Sequence, residues 1–152
     1  MLNLVLIEPE IPHNGGAAGR LALAIGARLH LVKPLGFSLD DKHVRRTGLD
    51  YWKDVDLEVW DSFDELLAAA DDEARTWFLT TKATRGHWDA EYRDGDYLVF
   101  GCESRGLPEA MIREAGEQAI RIPMKEGGTR SLNLSTAVGI VAYEAVRQVG
   151  GL

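Results

Sequence analysis

Short apolar runs alternate with longer amphipathic segments along the whole chain. The apolar runs predict β-strands at residues 2–7, 29–32, 57–60, 77–80, 97–101 and 119–122. The segments between them predict helices at residues 14–25, 40–46, 63–70, 108–114 and 134–149. Strands and helices that alternate at this spacing predict an α/β fold, with a mostly parallel sheet covered by helices on both faces.

A polar cluster lies between the last predicted strand and the last predicted helix. Residues 120–143 read IRIPMKEGGTRSLNLSTAVGIVAY, in which a Gly-rich loop leads into the helix. Arg130, Ser131, Asn133 and Ser135 lie where the first NH groups of a helix lack partners. One of these side chains suffices as a cap, so four indicate a small-molecule or phosphate site; a polar helix start without a ligand is the alternative.

Two further polar loops follow strands. The segment EPEIPHNGGAAGR comes after the first strand, with Asn14 predicted as a helix N-cap and Arg20 about two turns further on. The apolar run 97–100 stops at Gly101, and the charged residues of CESR lie between Gly101 and Gly106. Glycine at a strand end permits a positive backbone dihedral or the close approach of a ligand. An ordinary strand-to-helix loop is the alternative.

In order and spacing, the three loops resemble the three motifs of the SPOUT-type knotted RNA methyltransferases, and the likeness runs nearly from end to end. The matching residues are Asn14, Gly16 and Arg20, then Phe100, Gly101, Glu103, Gly106, Leu107 and Pro108, then Ile122, Pro123, Met124, Ser131, Asn133, Leu134 and Ser135. The segments LHLVKPLGF, DDKHVRRTGLDYW and FLTTK resemble the minimal branch that methylates the 2'-hydroxyl of the wobble nucleotide, C34 or U34, in the tRNA anticodon loop. Ala17 departs from the pattern, because the family usually has Asn there.

This resemblance implies a C-terminal trefoil knot and S-adenosylmethionine as the cofactor. Pattern alone predicts an unknotted sheet, since knots are nearly absent from protein folds. The residues implied to hold the cofactor are Leu79, Gly101, Ile122, Met124 and Ser131. The resemblance also implies a homodimer that packs through the first and last helices. Tyr143 is a candidate interface residue, unless it fills the core of its own chain.

The residues that the resemblance implies for catalysis are Arg20, Asn14, Glu103, Ser131 and Asn133. A guanidinium almost never releases its proton in a protein. We therefore expect Arg20 to act as an electrostatic clamp for the developing alkoxide or the adjacent phosphate. Asn14, Ser131 and Asn133 are expected to fix the geometry, and Glu103 to orient Arg20 or Arg130.

A net charge of −7 argues against a broad phosphate-binding surface, so RNA contacts must be local. Lys42, Arg45 and Arg46 fall on neighbouring positions of one short predicted helix, and we expect this group, with Arg130, to bind the tRNA. A solvated helix face is the alternative for the helical group.

Length and composition predict a single domain over residues 1–152, without a membrane or metal partner, in the cytoplasm. No apolar run approaches the roughly 20 residues of a membrane span. The four histidines lack metal-like spacing. Cys102 is the only cysteine, which excludes an intramolecular disulfide, and without a local histidine to activate it we expect a buried structural thiol.

Several other functions compete with the favoured one. A dinucleotide-binding enzyme is disfavoured, because NGGAAG lacks the GxGxxG spacing and Lys33 and Pro34 stand where a ribose-binding acid is expected. A second alternative is 2'-O-methylation of another tRNA ribose or of a ribosomal ribose. A third is a non-catalytic RNA-binding or assembly protein on the same fold, which only Ala17 supports.

Overall fold

The computed structural model describes the backbone of residues 1–152 and the side chains of residues 1–46 and 51–152. Its strands form one six-stranded sheet in the order β3-β2-β1-β5-β4-β6. The strands are β1 (Asn3–Ile7), β2 (Arg28–Val32), β3 (Leu57–Trp60), β4 (Thr76–Leu79), β5 (Tyr97–Phe100) and β6 (Ala119–Ile120). Every pair of neighbouring strands is parallel, which confirms the predicted α/β class.

Four α-helices lie between strands and a fifth follows the last strand; three short 3-10 turns were not predicted from the sequence pattern. The helices are α1 (Pro12–Ile25), α2 (Lys42–Gly48), α3 (Phe63–Ala69), α4 (Glu109–Ala115) and α5 (Leu134–Gln148). Ser62 caps the start of α3, since its hydroxyl accepts a hydrogen bond from the backbone NH of Glu65.

Helices pack on both faces of the sheet, because side chains alternate along each strand. Leu4 and Leu6 of β1 belong to a core that includes Ala18 of α1 and Val138 of α5. Val5, between them, belongs to a second core with side chains of α3 and α4. Both predicted faces are therefore confirmed, and α1 and α5 share one of them.

Three helices begin at residues other than those predicted: α1, α2 and α4, of which α4 starts at Glu109 with Pro108 as its N-cap residue. Pro12 occupies the first turn of α1 and Ile11 is its N-cap residue, so the prediction of Asn14 as N-cap is wrong. The fixed φ of proline suits the first helical position. Asn14 instead lies inside the first turn, only 4% exposed, where its side chain is directed at other loops. The helix predicted at 40–46 starts at Lys42. Asp41 precedes it, and its Oδ1 accepts a hydrogen bond from the backbone NH of His43.

The chain after β6 runs between the β4–β5 connection and α5. The backbone NH of His87 donates to the Arg121 carbonyl at 2.7 Å, and the NH of Arg121 donates to the Arg85 carbonyl at 2.8 Å. Further along the same connection, the NH of Tyr92 donates to the Gln148 side chain near the end of α5. The last helix is thus held against this connection, and the trefoil knot stays a prediction.

A buried histidine makes the stability of the fold dependent on pH. His30 is 2% exposed; its Nδ1 accepts from Trp60 Nε1, so Nε2 carries the proton and donates to Asn3 Oδ1. Burial, with the nearby charge of Arg28, lowers the pKa of His30 from 6.5 to about 4. Above pH 6.5, His30 is neutral in the folded and in the unfolded protein, and it does not lower the free energy of unfolding. As pH falls towards 4, the unfolded protein takes up the proton first, so the free energy of unfolding decreases.

We expect wild type to lose about 2 kcal/mol more unfolding free energy between pH 7 and pH 5 than His30→Gln, which cannot titrate. Urea unfolding at the two pH values measures this difference. An NMR titration that placed the imidazole pKa of the folded protein near 6.5 would contradict it.

Candidate active site

A cavity of about 500 Å³ opens at the edge of the sheet where β1, β4, β5 and β6 end. Its volume falls within the range of small-molecule sites. Three loops distant in sequence line it, namely the start of α1, the turn after β5 and the segment between β6 and α5, together with residues 79–82 at the end of β4. The residues predicted to hold a cofactor all line it, namely Leu79, Gly101, Ile122, Met124 and Ser131.

The turn after β5 depends on two glycines. The backbone NH of Gly106 donates to the Cys102 carbonyl at 2.9 Å, and Gly106 has a φ of 68°, which favours glycine. A Cβ on Gly101 would lie 2.2 Å from the carbonyl carbon of Gly106 and 2.3 Å from the nitrogen of Leu107. Gly101 therefore lets the chain fold back on itself beside the cavity.

Glu103, from this turn, holds the start of α1. Its Oε1 accepts from the backbone NH of Glu10 at 2.9 Å, and its Oε2 accepts from the NH of Ile11 at 2.6 Å and from Asn14 Nδ2 at 3.1 Å. A carboxylate at a helix N-terminus is stabilised by the helix dipole and by NH groups that lack helical partners. The N-terminal cap of α1 is thus supplied by a distant loop.

Asn14 and Asn133 extend this contact to the third loop. Asn133 Nδ2 donates to Asn14 Oδ1 at 3.2 Å. Asn133 is also the N-cap of α5, because its Oδ1 accepts from the NH of Thr136 at 3.2 Å and from the Ser135 hydroxyl at 2.6 Å. Glu103, Asn14 and Asn133 form a continuous hydrogen-bonded network across the three loops, which we call the interloop network.

A second link between the loops was missed by sequence reasoning. Glu10 Oε1 accepts from the backbone NH of Ser104 at 2.9 Å and from its hydroxyl at 2.6 Å, and these bonds lower the pKa of Glu10. Since Glu10 also donates its backbone NH to Glu103, the first two loops are joined reciprocally. The signal in the sequence for this link was Glu10 itself, an acidic residue just before the start of α1.

The predicted cations lie outside this network. Arg20 is exposed on α1 and Arg130 on the loop before α5, and neither is among the described residues that line the cavity. The contacts of Glu103 are with the start of α1 and not with Arg20 or Arg130, so its predicted orienting role is corrected for the described part of the chain. Lys42, Arg45 and Arg46 are exposed on α2.

Comparison with known proteins identifies the family. The model of the SpoU rRNA Methylase family matches residues 1–143, which is most of the chain and includes all three loops. The chain belongs to the SpoU rRNA methylase family. This confirms the resemblance drawn from the three sequence motifs.

Several known proteins match this chain over nearly its whole length. A Burkholderia pseudomallei protein named tRNA (cytidine(34)-2'-O)-methyltransferase is 49% identical, over 99% of this chain and 97% of its own length. A solved structure described as structural insights into the 2-OH methylation of C/U34 on tRNA is 49% identical, with a TM-score of 0.92, over 97% of this chain and 95% of that chain. The AdoMet-bound rRNA methyltransferase from Sinorhizobium meliloti is 25% identical, with a TM-score of 0.82, over 96% of this chain and 56% of that chain.

Cys102 and Tyr143 of this SpoU protein lie in different environments, one buried and one exposed. Cys102 is 6% exposed and its Sγ lies 3.8 Å from the Gly106 carbonyl, as expected for a structural thiol. Tyr143 is 48% exposed on α5, so it does not fill the core of its own chain.

Among the described residues, no three His, Cys, Asp or Glu side chains are grouped to hold a metal ion. In the same part of the chain, no helix has the length and apolarity to span a membrane.

The interloop network of the SpoU protein predicts a stability effect. We expect Glu103→Ala to lower the free energy of unfolding by about 3 kcal/mol, because it removes a charged acceptor from three donors at a helix start. Glu91→Ala, on an exposed carboxylate, is the control and should cost under about 0.5 kcal/mol. Urea unfolding compares the two, and equal effects would show that the network adds no stability.

Proposed function

We propose that the protein transfers a methyl group from S-adenosylmethionine to the ribose 2'-hydroxyl of nucleotide 34, the wobble C or U, in the tRNA anticodon loop. The observation that carries the proposal is the cavity enclosed by three loops and fixed by the interloop network. The relatives of the same length that are named for this reaction support it. Such a reaction belongs in the cytoplasm, where tRNA is available.

The cavity fits a methyl donor of this kind. Leu79, Ile122 and Leu134 give it apolar walls suited to an adenine ring, and the glycine turn brings backbone polar groups close to a ligand. When bound, S-adenosylmethionine would supply an electrophilic methyl group and leave as S-adenosylhomocysteine, while the hydroxyl proton passes to solvent. The part of the protein is to align the ribose hydroxyl and to keep bulk water from the methyl group. The similar AdoMet-bound rRNA methyltransferase from Sinorhizobium meliloti supports this choice of cofactor.

The side chains of the site then have separate roles. Arg20 keeps its proton and stabilises negative charge on the ribose oxygen or the neighbouring phosphate. Asn14 and Asn133 hold the loops in place, Ser131 contacts the ligands from the third loop, and Glu103 fixes the start of the helix that carries Arg20.

A second copy of the chain would bring Arg20 to the reaction. Arg20 lies outside the cavity lining of its own chain, on α1, which packs beside α5. Ile140 and Tyr143 expose apolar surface on α5, 37% and 48% respectively. We therefore propose a homodimer through these helices. Light scattering coupled to size-exclusion chromatography should give twice the mass of the chain, and a monomer that retains activity would exclude the idea.

The proposed tRNA surface is the exposed basic face of α2, with Arg130 beside the cavity. We expect the combined change of Lys42, Arg45 and Arg46 to Ala to weaken tRNA affinity at least tenfold, and to reduce the slope of log affinity against log salt by about 2 to 3. The reason is that fewer phosphate charges are neutralised. Filter binding across a salt series measures both values.

A matched control removes three exposed cations that lie outside α2. Arg93 lies in the loop before β5, Arg113 in the last turn of α4, and Arg147 in the last turn of α5. Their combined change to Ala should leave the salt slope unaltered. An equal loss in both triple variants would move the RNA surface away from α2.

The alternative target is another tRNA ribose or a ribosomal ribose, which the family description and the Sinorhizobium relative favour. Purified protein, S-adenosylmethionine and a tRNA transcript are incubated, and the methylated nucleotide is mapped by nuclease digestion and mass spectrometry. We expect methyl at position 34, and none when the transcript has 2'-deoxyribose there. Methylation elsewhere would favour the alternative, and absence of methylation in tRNA and ribosomal RNA would leave a binding protein.

A further inference from the structure

Arg105 extends from the turn after β5 and lines the cavity while remaining exposed. Its two neighbours are fixed: Ser104 is hydrogen-bonded to Glu10, and Gly106 to the Cys102 carbonyl. The backbone that carries the guanidinium is therefore held at the rim, while the side chain reaches solvent and the cavity.

The charge of Arg105 is available for a ligand. Lys82 and Arg105 are the basic residues among the described side chains that line the cavity, and Lys82 forms a 3.1 Å ion pair with Glu109. No carboxylate of the described side chains lies within ion-pair distance of Arg105. The neighbouring Cys102 and the negative charges of Glu8 and Glu10 raise the pKa of Arg105. A guanidinium is in any case protonated at physiological pH.

We propose that Arg105 binds an oxyanion of a substrate at the rim of the cavity, either the carboxylate of the methyl donor or the phosphate beside the acceptor ribose. The inference rests on the proposed function, which brings both groups to this cavity. Carboxylate and phosphate are the groups that the planar guanidinium binds through paired hydrogen bonds. The carboxylate of Glu103 is already occupied by α1, so it does not compete for Arg105.

Three probes distinguish the two sources. S-adenosylhomocysteine has the carboxylate, 5'-methylthioadenosine lacks the amino-acid portion, and tRNA supplies the phosphate. If the donor carboxylate is bound, Arg105→Gln should weaken S-adenosylhomocysteine about tenfold by calorimetry and leave methylthioadenosine unchanged. If the RNA phosphate is bound, both nucleosides should keep their affinity while KM for tRNA rises about tenfold and kcat stays within about twofold.

Arg105→Lys should recover part of the loss, because it keeps the charge without the paired geometry. Arg113→Gln, an exposed arginine of α4, is the control and should change none of the three values. Unchanged values in Arg105→Gln would overturn the inference, as would an equal loss for both nucleosides, which would indicate a disturbed loop. If wild type binds neither nucleoside, the proposed function fails and this inference with it.

Discussion

Arg20→Ala should lower the rate of methyl transfer about 10³-fold while donor affinity stays within about twofold. The guanidinium is the charge proposed to stabilise the developing alkoxide, whereas the residues that line the cavity do not include it in the described chain. The loss should therefore fall on kcat and not on donor binding. Single-turnover kinetics with saturating tRNA, together with calorimetry of S-adenosylhomocysteine, measure the two quantities.

Two further variants sharpen this prediction. Arg20→Lys should recover only part of the rate, since an ammonium provides the charge without the forked donors. Arg113→Ala removes another exposed arginine, from α4, and should leave both quantities unchanged. An Arg20→Ala protein that methylates tRNA at close to the normal rate would remove Arg20 from the mechanism.

Gly101→Ala should abolish donor binding and lower the free energy of unfolding by about 3 kcal/mol. The new methyl would lie 2.2 Å from the backbone of Gly106, where neither chain segment can move without opening the turn after β5. The same turn carries Glu103, so the interloop network should be disturbed as well. Urea unfolding and calorimetry with S-adenosylhomocysteine test both consequences.

Gly139→Ala is the matched control, because it adds the same methyl group within α5. A Cβ at Gly139 meets no described atom within 4 Å outside its neighbouring residues and the backbone of its own helix, and alanine is more favourable than glycine in a helix interior by about 1 kcal/mol. We expect unchanged or slightly higher stability, with normal donor affinity. If Gly101→Ala behaves like this control, the close approach at the turn is needed neither for stability nor for donor binding.

The sequence pattern was sufficient for the fold class and not for the strand order. Alternation in β1, with Leu4 and Leu6 on one face and Val5 on the other, follows from the two-residue period of a strand. The pairing of β1 with β5 and of β4 with β6 joins segments far apart in sequence, and local periodicity holds no information about it. The ends of the helices were uncertain for the same reason, because tertiary contacts decide them.

The functional site, like the fold, could be predicted only in part from the sequence. Glycines and polar residues at strand ends correctly marked the loops, and every residue predicted for the cofactor lines the cavity. Asn14 lines the cavity and links two loops, whereas the prediction that it caps α1 is wrong. The partners of Glu103 could not be predicted, since Glu10 lies 93 positions away and the contact exists only in the folded chain.

A crystal structure with S-adenosylhomocysteine tests most directly whether the three loops form one methyl-donor site. We expect the ligand in the cavity at the ends of β4, β5 and β6, in contact with the residues predicted for it: Leu79, Gly101, Ile122, Met124 and Ser131. Ligand bound at another surface, or a cavity that stays empty at saturating ligand, would contradict the assignment.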